Sequence, residues 1–317
     1  MRTVFVSGAL PGDAVPALSQ KYEVVQDEAG VRGSAFDGAC TRAAAVVAVL
    51  TDRIDAALLE RCPRLAVVAN VAVGVDNVDL AACRARGVVV TNTPDVLTEA
   101  TADVAFGLLL AASRRIAEGD RLVRAGGWKG WTPSFMLGSR VHGASLGIVG
   151  LGRIGRAVAR RARGFGMHVG YTQRTRLPEH LERALGATWL PSVPDLCAAS
   201  DVVSIHVPLS AETRHLFDAA MLAKMRPGSV LVNTARGPIV DEAALAEALA
   251  RGPLAAAGLD VFEHEPTVHP ALLARENAVL APHLGSAERS TREAMVLTAV
   301  TNVIRVLEGE PPLTPVP

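Results

Sequence analysis

The stretch from Ser145 to Arg176 constrains this chain more than any other. It reads SLGIVGLGRIGRAVARRARGFGMHVGYTQRTR, which is an apolar strand, a Gly-rich turn, a helical pattern and a second apolar strand. Gly150 permits the tight turn, Gly152 lets the backbone approach a pyrophosphate, and Gly155 lets the helix and the strand pack closely. The helix start offers free N–H groups and a positive dipole end to that pyrophosphate. We therefore predict that a dinucleotide binds at this turn.

The length, net charge and composition of the sequence argue against several other classes of protein. The chain has 317 residues, a formal net charge of zero and a pI near 7.1, which argues against a nucleic-acid or acidic-membrane partner. No apolar run is long enough to span a bilayer, and the N-terminus lacks a signal-peptide pattern. We expect a cytoplasmic protein whose scattered cysteines are reduced and hold no metal, namely Cys40, Cys62, Cys83 and Cys197.

Strand patterns alternate with helix patterns along the chain, which predicts parallel α/β sheets. The polar turn at Asn92 indicates a domain crossing, so we predict one domain over 1–94 plus 285–317 and another over 95–284. A single helix over 98–125 is apolar nearly all round at 104–112, which predicts burial between the domains and at a subunit contact. Asp52 is expected to cap the next helix, and the tail 311–317 is expected to be loose.

Three polar residues follow strands of the second predicted domain, at the edge where open parallel sheets bind ligands. They are Arg236, Glu265 and His283. A guanidinium can bind a substrate carboxylate and polarise the carbonyl beside it. An imidazolium can deliver a proton as hydride reaches the carbon, and a carboxylate can orient that imidazole and favour its charged form. Together the three side chains suit the reduction of an oxo acid.

The sequence also resembles the D-2-hydroxyacid dehydrogenase family over nearly its whole length. The pieces that carry the resemblance are GLGRIG (150–155), NTARGPIVDEAAL (233–245), GLDVFEHEP (258–266) and APHLGSA (281–287), in the order of the family. The resemblance implies two doubly wound parallel-sheet domains, a Rossmann nucleotide-binding domain and a flavodoxin-like substrate domain. It also implies a homodimer built around the helix at 98–125.

Residue roles are implied by the same resemblance. Arg236 is the substrate clamp, Glu265 is the partner of the acid/base His283, and the backbone at Val73 and Gly74 binds the substrate carboxylate. Asp260 is expected near the nicotinamide carboxamide. Further cofactor contacts are implied for Arg153, Ile154, Pro208, Thr213 and Thr234.

Two segments resemble the glyoxylate/hydroxypyruvate reductase branch of the family, NTPDVLT (92–98) and GGWKGWTP (126–133). In that branch the second tryptophan reaches the active site of the partner subunit, so Trp131 either does so here or only packs its loop. Leu50 either lines the substrate side or packs in a core strand. Neither choice is decided by the sequence.

The end of the second strand of the nucleotide-binding unit favours NADP(H) over NAD(H). An NAD-selective site usually places a carboxylate there to accept from the ribose 2′-OH. Here Thr172 holds that place and no carboxylate occurs between 167 and 178. Arg174 and Arg176 come next, and guanidinium groups can bind a 2′-phosphate.

Other functions remain open on the sequence alone. The leading interpretation is a reductase of a small 2-oxo acid, glyoxylate or hydroxypyruvate. Another family member could act on phosphite, phosphoglycerate or a bulkier oxo acid. A non-catalytic, cofactor-sensing protein similar to the corepressors on this fold is the alternative from a different class, and the set Arg236, Glu265 and His283 argues against it.

Overall fold

Two segments far apart in the chain form the first of two compact units. The computed structural model describes residues 1–317 and divides them into Met1–Leu97 with Ser286–Pro317, and Thr98–Gly285. The chain therefore crosses between units at 97/98 and 285/286, whereas the sequence predicts 94/95 and 284/285.

The first unit is built on a five-stranded, entirely parallel sheet with the order β2-β1-β3-β4-β5. This is the doubly wound order of flavodoxin-like folds, as the resemblance implies. Its elements before residue 98 are β1 (Thr3–Ser7), α1 (Ala14–Leu18), β2 (Glu23–Asp27), α2 (Ser34–Ala39), β3 (Ala43–Ala48), α3 (Ala56–Arg61), β4 (Val67–Asn70), α4 (Leu80–Ala85) and β5 (Val89–Thr91).

The second unit carries a seven-stranded parallel sheet. Its elements are α5 (Thr98–Ser113), α6 (Ile116–Arg124), β6 (Ser145–Val149), α7 (Arg153–Gly164), β7 (His168–Thr172), α8 (Glu179–Leu185), β8 (Ala187–Trp189), α9 (Val193–Ala199), β9 (Val202–Ile205), α10 (Ala219–Leu222), β10 (Ser229–Asn233), α11 (Glu242–Arg251), β11 (Leu254–Leu259), α12 (Pro270–Leu273) and β12 (Ala278–Leu280). The order β12-β11-β10-β9-β6-β7-β8 is the Rossmann order with one added strand. The predicted fold class is confirmed.

The strands of both sheets are short apolar runs because helices cover both faces of each sheet. In β6, for example, Leu146 and Ile148 are completely buried, and the same is true of Val46 in β3. Several helices begin at an aspartate whose carboxylate accepts a backbone N–H of the first turn, as Asp55 does for α3 and Asp241 for α11. No helix combines the length and the apolarity that crossing a bilayer requires.

The predicted single helix over 98–125 is wrong, because the chain breaks it at Arg115. That residue adopts the left-handed conformation with φ 55°, which ends α5 before α6 begins. Its guanidinium binds the carboxylate of Glu118 at 2.6 Å in the first turn of α6. The carbonyl of Ser113, freed at the end of α5, accepts the N–H of Ser139 at 2.8 Å. One local ion pair and one long-range hydrogen bond thus accompany the break, and the apolar pattern of the sequence reveals neither.

The C-terminal segment returns to the first unit, and its tail is more ordered than expected. Helix α13 (Arg289–Leu307) packs against β3, β4 and α1, and its Val303 is completely buried. The tail is not loose, since the N–H of Val316 donates to the carbonyl of Val90 at 2.8 Å.

The expectation that Asp52 caps α3 is also wrong. Asp52 is buried, and its carboxylate accepts the N–H groups of Val31 and Val49.

Candidate active site

The Gly-rich turn has the geometry that a pyrophosphate requires. Gly150 has φ 93°, and a Cβ there would lie 2.8 Å from the carbonyl oxygen of His206. A Cβ on Gly155 would lie 2.3 Å from the carbonyl oxygen of Gly150, so α7 packs closely on the strand. At Gly152, the residue before α7, a Cβ would meet nothing within 4 Å. Gly150 and Gly155 must be glycine because a Cβ at either position would collide with a backbone carbonyl oxygen. Gly152 instead faces open space at the start of a helix, where a phosphate fits.

The other predicted cofactor residues lie around the same sheet edge in different ways. Arg153 is exposed at the first position of α7, and Ile154 is half-buried behind it. Thr213 uses its hydroxyl to close its own loop, donating to the carbonyl of Pro208 at 2.7 Å. The hydroxyl of Thr234 is buried just after β10 and has no hydrogen-bond partner within the protein. An orphaned hydroxyl at this edge is compatible with a bound ligand.

Two further residues at this edge are not predicted by the sequence pattern. Gln173 follows β7, and its side-chain oxygen accepts the N–H of Leu151 at 3.0 Å, so it supports the Gly-rich turn. His206 follows β9 and contacts the hydroxyl of Ser204 at 2.8 Å. Burial lowers the pKa of His206 to about 4, which keeps its imidazole neutral near pH 7. The only sequence signal for either residue was its position directly after a strand.

The predicted pair of phosphate-binding arginines is divided by the fold. Thr172 is buried at the end of β7, and Arg174 is exposed beyond it. Arg176, by contrast, forms a two-bond ion pair with Glu182, at 2.9 Å from Nε and 2.8 Å from Nη2. Its guanidinium therefore already has a carboxylate partner within the protein, which weakens the expectation that it binds a 2′-phosphate.

Glu182 is itself held in place by a buried hydroxyl. The phenol of Tyr171 donates to its carboxylate at 2.6 Å and also accepts the N–H of Leu177. The hydrogen bonds from Arg176 and then from Tyr171 lower the pKa of Glu182 to about 2. This carboxylate is not evident from the sequence, because it comes from α8 rather than from the strand end where NAD-selective sites carry an acid.

His283 and Glu265 form a hydrogen-bonded pair. Nδ1 of His283 lies 2.8 Å from Oε2 of Glu265, and the other carboxylate oxygen accepts the N–H of Phe262 at 3.0 Å. Burial alone would raise the pKa of Glu265, but the hydrogen bond and charge of His283, the N–H of Phe262 and the charge of Arg236 lower it below its usual range. Both side chains are partly open to solvent, at 27% for His283 and 31% for Glu265.

Arg236 lies in the loop after β10, close enough to Glu265 for its charge to act on that carboxylate. The loop is pressed against the neighbouring one: a Cβ on Gly237 would lie 1.8 Å from the carbonyl carbon of Phe262, so only glycine fits. The side-chain amide of Asn233 donates to the carbonyl of Arg236 at 2.9 Å. These contacts hold the loop that carries Arg236 beside the segment that carries Glu265.

Asp260 is completely buried and supports the loop of His283. Its two oxygens accept the N–H groups of Leu284 at 2.6 Å and of Gly285 at 2.7 Å, and its carbonyl accepts the N–H of His283. Burial raises the pKa of this carboxyl group despite those two bonds. His283 itself has φ 53°, a conformation that is strained for this residue type and is maintained by these contacts. A contact between Asp260 and nicotinamide stays a prediction.

The predicted substrate residues of the first unit lie in two neighbouring turns. Leu50 follows β3, is 39% exposed and is therefore not a core strand residue. Val73 and Gly74 follow β4. The side-chain amide of Asn77 donates to the carbonyl of Val49 and is also hydrogen-bonded to the side chain of Asn70. The amide of Asn70 in turn donates to the carbonyl of Gly74 at 2.9 Å.

Trp131 belongs to the second unit and lies in the segment between α6 and β6. It is 77% exposed, so within this chain it does not pack its loop. The neighbouring Trp128 donates from Nε1 to the carbonyl of Gly130 at 2.9 Å and does support the loop.

The second unit thus brings an imidazole–carboxylate pair and a guanidinium together at the carboxyl ends of β10, β11 and β12, on the sheet whose β6 leads into the Gly-rich turn. This arrangement can hold a carboxylate, polarise a carbonyl oxygen and give that oxygen a proton.

Known proteins are similar to this chain over most of its length. Residues 106–285 match the family model described as "D-isomer specific 2-hydroxyacid dehydrogenase, NAD binding domain". The chain is 46% identical to the glyoxylate reductase of Thermococcus onnurineus over 317 residues, which covers 98% of this chain and 94% of the relative.

Two solved structures extend the comparison. A protein of Thermus thermophilus is 45% identical and superimposes with a TM-score of 0.92, covering 99% of this chain and 100% of that one. The NADPH-dependent glyoxylate/hydroxypyruvate reductase of Sinorhizobium meliloti, solved with NADP and malonate, is 38% identical with a TM-score of 0.89, covering 100% and 97%. The chain belongs to the D-2-hydroxyacid dehydrogenase family, in its glyoxylate reductase branch.

Proposed function

We propose that this enzyme reduces a small 2-oxo acid, glyoxylate or hydroxypyruvate, to the corresponding D-2-hydroxy acid with NADPH. The observation that carries the proposal is the 2.8 Å His283–Glu265 pair with the charge of Arg236 beside it. The names of the relatives support the substrate class, since glyoxylate reductases are similar over almost their full length. The first unit serves as the substrate domain and the second as the dinucleotide-binding domain.

The chemistry is divided among three side chains. When bound, the nicotinamide cofactor supplies a hydride to the carbonyl carbon of the substrate. His283 donates a proton from its imidazolium to the carbonyl oxygen, so that the C=O group becomes CH–OH. Glu265 holds the opposite ring nitrogen and stabilises the positive charge before the transfer. Arg236 binds the substrate carboxylate and polarises the carbonyl.

The first unit contributes the backbone N–H groups of Val73 and Gly74, which bind the substrate carboxylate, and Leu50, which lines the substrate side. The exposure of Leu50 supports this role over core packing. Leu50 lies in a turn that is tied to the loop of Gly74 through two asparagines, so both turns are held in one arrangement.

NADP(H) is proposed as the preferred cofactor on the strength of Arg174. This guanidinium is exposed after β7 and makes no ion pair within 4 Å. The pKa of Glu212 is lowered chiefly by a hydrogen bond from Ser210 and to a smaller extent by the charge of Arg174. Thr172 in place of an acid leaves a 2′-phosphate without a repelling charge at that position. Gly150, Gly152 and Gly155 hold the pyrophosphate, with Arg153, Ile154, Pro208, Thr213, Thr234 and Asp260 around the rest of the cofactor.

A homodimer is proposed from the apolar side chains that α6 and the segment after it expose. Ile116, Val123, Trp128, Trp131 and Leu137 are between 56% and 77% exposed, and all five lie in one segment of the chain, 116–137. A second copy would cover this surface, and Trp131 would reach the active site of the partner. Four buried, unpaired cysteines support a reducing, cytoplasmic location.

One assay tests the proposed function. Initial rates of NADPH oxidation are measured with glyoxylate, hydroxypyruvate, pyruvate and phosphohydroxypyruvate under the same conditions. The highest kcat/KM is expected for glyoxylate or hydroxypyruvate. A preference for phosphohydroxypyruvate, or no turnover of any of the four, would overturn the proposal.

A further inference from the structure

In the loop that follows β4, three successive backbone carbonyls each accept a hydrogen bond. The carbonyl of Ala72 accepts the N–H of Thr93 at 2.9 Å, the carbonyl of Val73 accepts from the side-chain amide of Asn92 at 2.8 Å, and the carbonyl of Gly74 accepts from Asn70 at 2.9 Å. Three successive carbonyls are therefore bound by donors from the body of the first unit.

The orientation of the carbonyls fixes the orientation of the N–H groups. In a trans peptide the N–H of each residue points opposite to the carbonyl of the residue before it. The N–H groups of Val73, Gly74 and Val75 must therefore point away from those donors, and none of the three makes a hydrogen bond within the protein. Backbone N–H groups without an acceptor in the protein can donate to an anion, such as the substrate carboxylate.

Asn92 holds the middle peptide of this site and is itself held by the C-terminal tail. Its N–H donates to the carbonyl of Thr314 at 3.3 Å, and its carbonyl accepts from the hydroxyl of Thr314 at 2.6 Å. Its side-chain amide is then free to reach Val73. Asn92 thus connects the tail to the loop that presents the three N–H groups.

The tail in turn is anchored by Asn302 of α13. The side chain of Asn302 is completely buried, accepts the N–H of Leu313 at 2.7 Å and donates to the hydroxyl of Thr314 at 2.8 Å. Pro315 then forms a bridge with Thr91, one residue before Asn92. A buried amide with its donor and acceptor both satisfied leaves the tail little freedom.

We infer that Asn92 is a positioning residue for the substrate carboxylate, and that tail residues 313–316 belong functionally to the substrate site because they hold Asn92. The inference rests on the proposed function, since it takes the anion at Val73–Val75 to be the carboxylate of the oxo acid. It predicts that changes more than two hundred residues away along the chain alter oxo-acid binding and spare the cofactor.

The test compares Asn92→Ala and Thr314→Val with two controls. Thr314→Ser keeps the hydroxyl that binds Asn92. Gln26→Ala removes another side-chain amide of the first unit that donates to a carbonyl, that of Gly8 at 2.7 Å, away from the loop. The measurements are kcat, KM for glyoxylate, KM for NADPH and the free energy of unfolding of each variant.

Asn92→Ala is expected to raise KM for glyoxylate on the order of tenfold, the effect of losing about one hydrogen bond to a charged group. Thr314→Val should raise it in the same direction, while Thr314→Ser and Gln26→Ala stay near the wild type. KM for NADPH should be unchanged in all four. An unchanged KM for glyoxylate in Asn92→Ala, or an equal rise of both KM values, would overturn the inference.

Calorimetric titration with oxalate in the presence of NADP⁺ separates this inference from the proposed function, because it requires no turnover. Weaker oxalate binding by Asn92→Ala and Thr314→Val supports the inference, whether or not the wild type reduces glyoxylate. Failure of the wild type to reduce glyoxylate would overturn only the proposed function. Oxalate binding equal to that of the wild type in both variants, or no oxalate binding by the wild type, overturns it.

Discussion

Nδ1 of His283 lies 2.8 Å from the carboxylate of Glu265, and it does so from a left-handed backbone conformation with φ 53°. The imidazole is therefore fixed on one side by an acceptor, which leaves the other ring nitrogen as the one that can serve a substrate.

His283→Ala is expected to reduce kcat by about 10²–10⁴ because it removes the proton donor. Glu265→Gln should reduce kcat by less, since an amide oxygen keeps a hydrogen bond to Nδ1 but lacks the negative charge. Steady-state kinetics with glyoxylate measure both, and nucleotide binding by fluorescence titration should stay near the wild type. Near-full kcat in His283→Ala would show the assignment to be wrong.

The two arginines after β7 are expected to behave differently. Arg174→Ala should reduce the ratio of kcat/KM for NADPH to that for NADH about tenfold or more, because it removes a charge-assisted bond to the 2′-phosphate. Arg176→Ala should leave this ratio nearly unchanged, since its guanidinium is bound by Glu182. The two variants are matched controls for each other. A loss of NADPH preference in Arg176→Ala alone, or NADH preference in the wild type, would contradict this prediction.

Glu182 is expected to stabilise the fold in a pH-dependent way. Its pKa is lowered in the folded protein from 4.5 to about 2, so the charged form is favoured by folding. That stability is fully present above the unfolded pKa and is lost as the pH falls from 4.5 towards 2. Urea unfolding of the wild type and of Glu182→Gln should therefore differ most near neutral pH, and the difference should shrink below pH 4.5.

A matched control for that experiment is Glu179→Gln on the same helix. Glu179 lies 3.9 Å from Arg183, and both side chains are more than 70% exposed. Exposed pairs contribute little, so this variant should unfold like the wild type at every pH. A difference between wild type and Glu182→Gln that grows at low pH would refute the assigned role.

The exposed apolar side chains of α6 predict a dimer. Light scattering at micromolar concentration should give twice the mass of the chain, and Val123→Asp should shift it towards the monomer by placing a charge in the interface. Leu297→Asp on α13 is the control, because Leu297 is as exposed as Val123, at 58%, and lies in the other unit. A monomeric wild type would reject the proposal.

If Trp131 serves the active site of the partner, Val123→Asp and Trp131→Ala should both raise KM for glyoxylate more than KM for NADPH. Trp131→Ala should leave the mass unchanged at the same time. Unaltered substrate kinetics in Trp131→Ala would limit this tryptophan to the subunit contact.

The sequence by itself determined the fold class and the location of the candidate site. Alternating apolar strands and amphipathic helices specify parallel sheets, and the loops after parallel strands all lie at one edge of the sheet. Gly150 to Gly155, Arg236, Glu265 and His283 could therefore be found without coordinates, because each signal is local: a turn, a strand end, a residue type.

Only the tertiary structure decided which side chains those residues meet. Arg176 was predicted to bind phosphate, but Tyr171 and a turn of α8 place Glu182 against it. The helix predicted over 98–125 ends early because Arg115 adopts a left-handed conformation, and the tail is held because Asn302 is buried beneath it. Periodicity reports which face of an element is apolar. It does not report which donor, more than two hundred residues away, satisfies the carbonyl of Asn92, because that is set by packing of the whole unit.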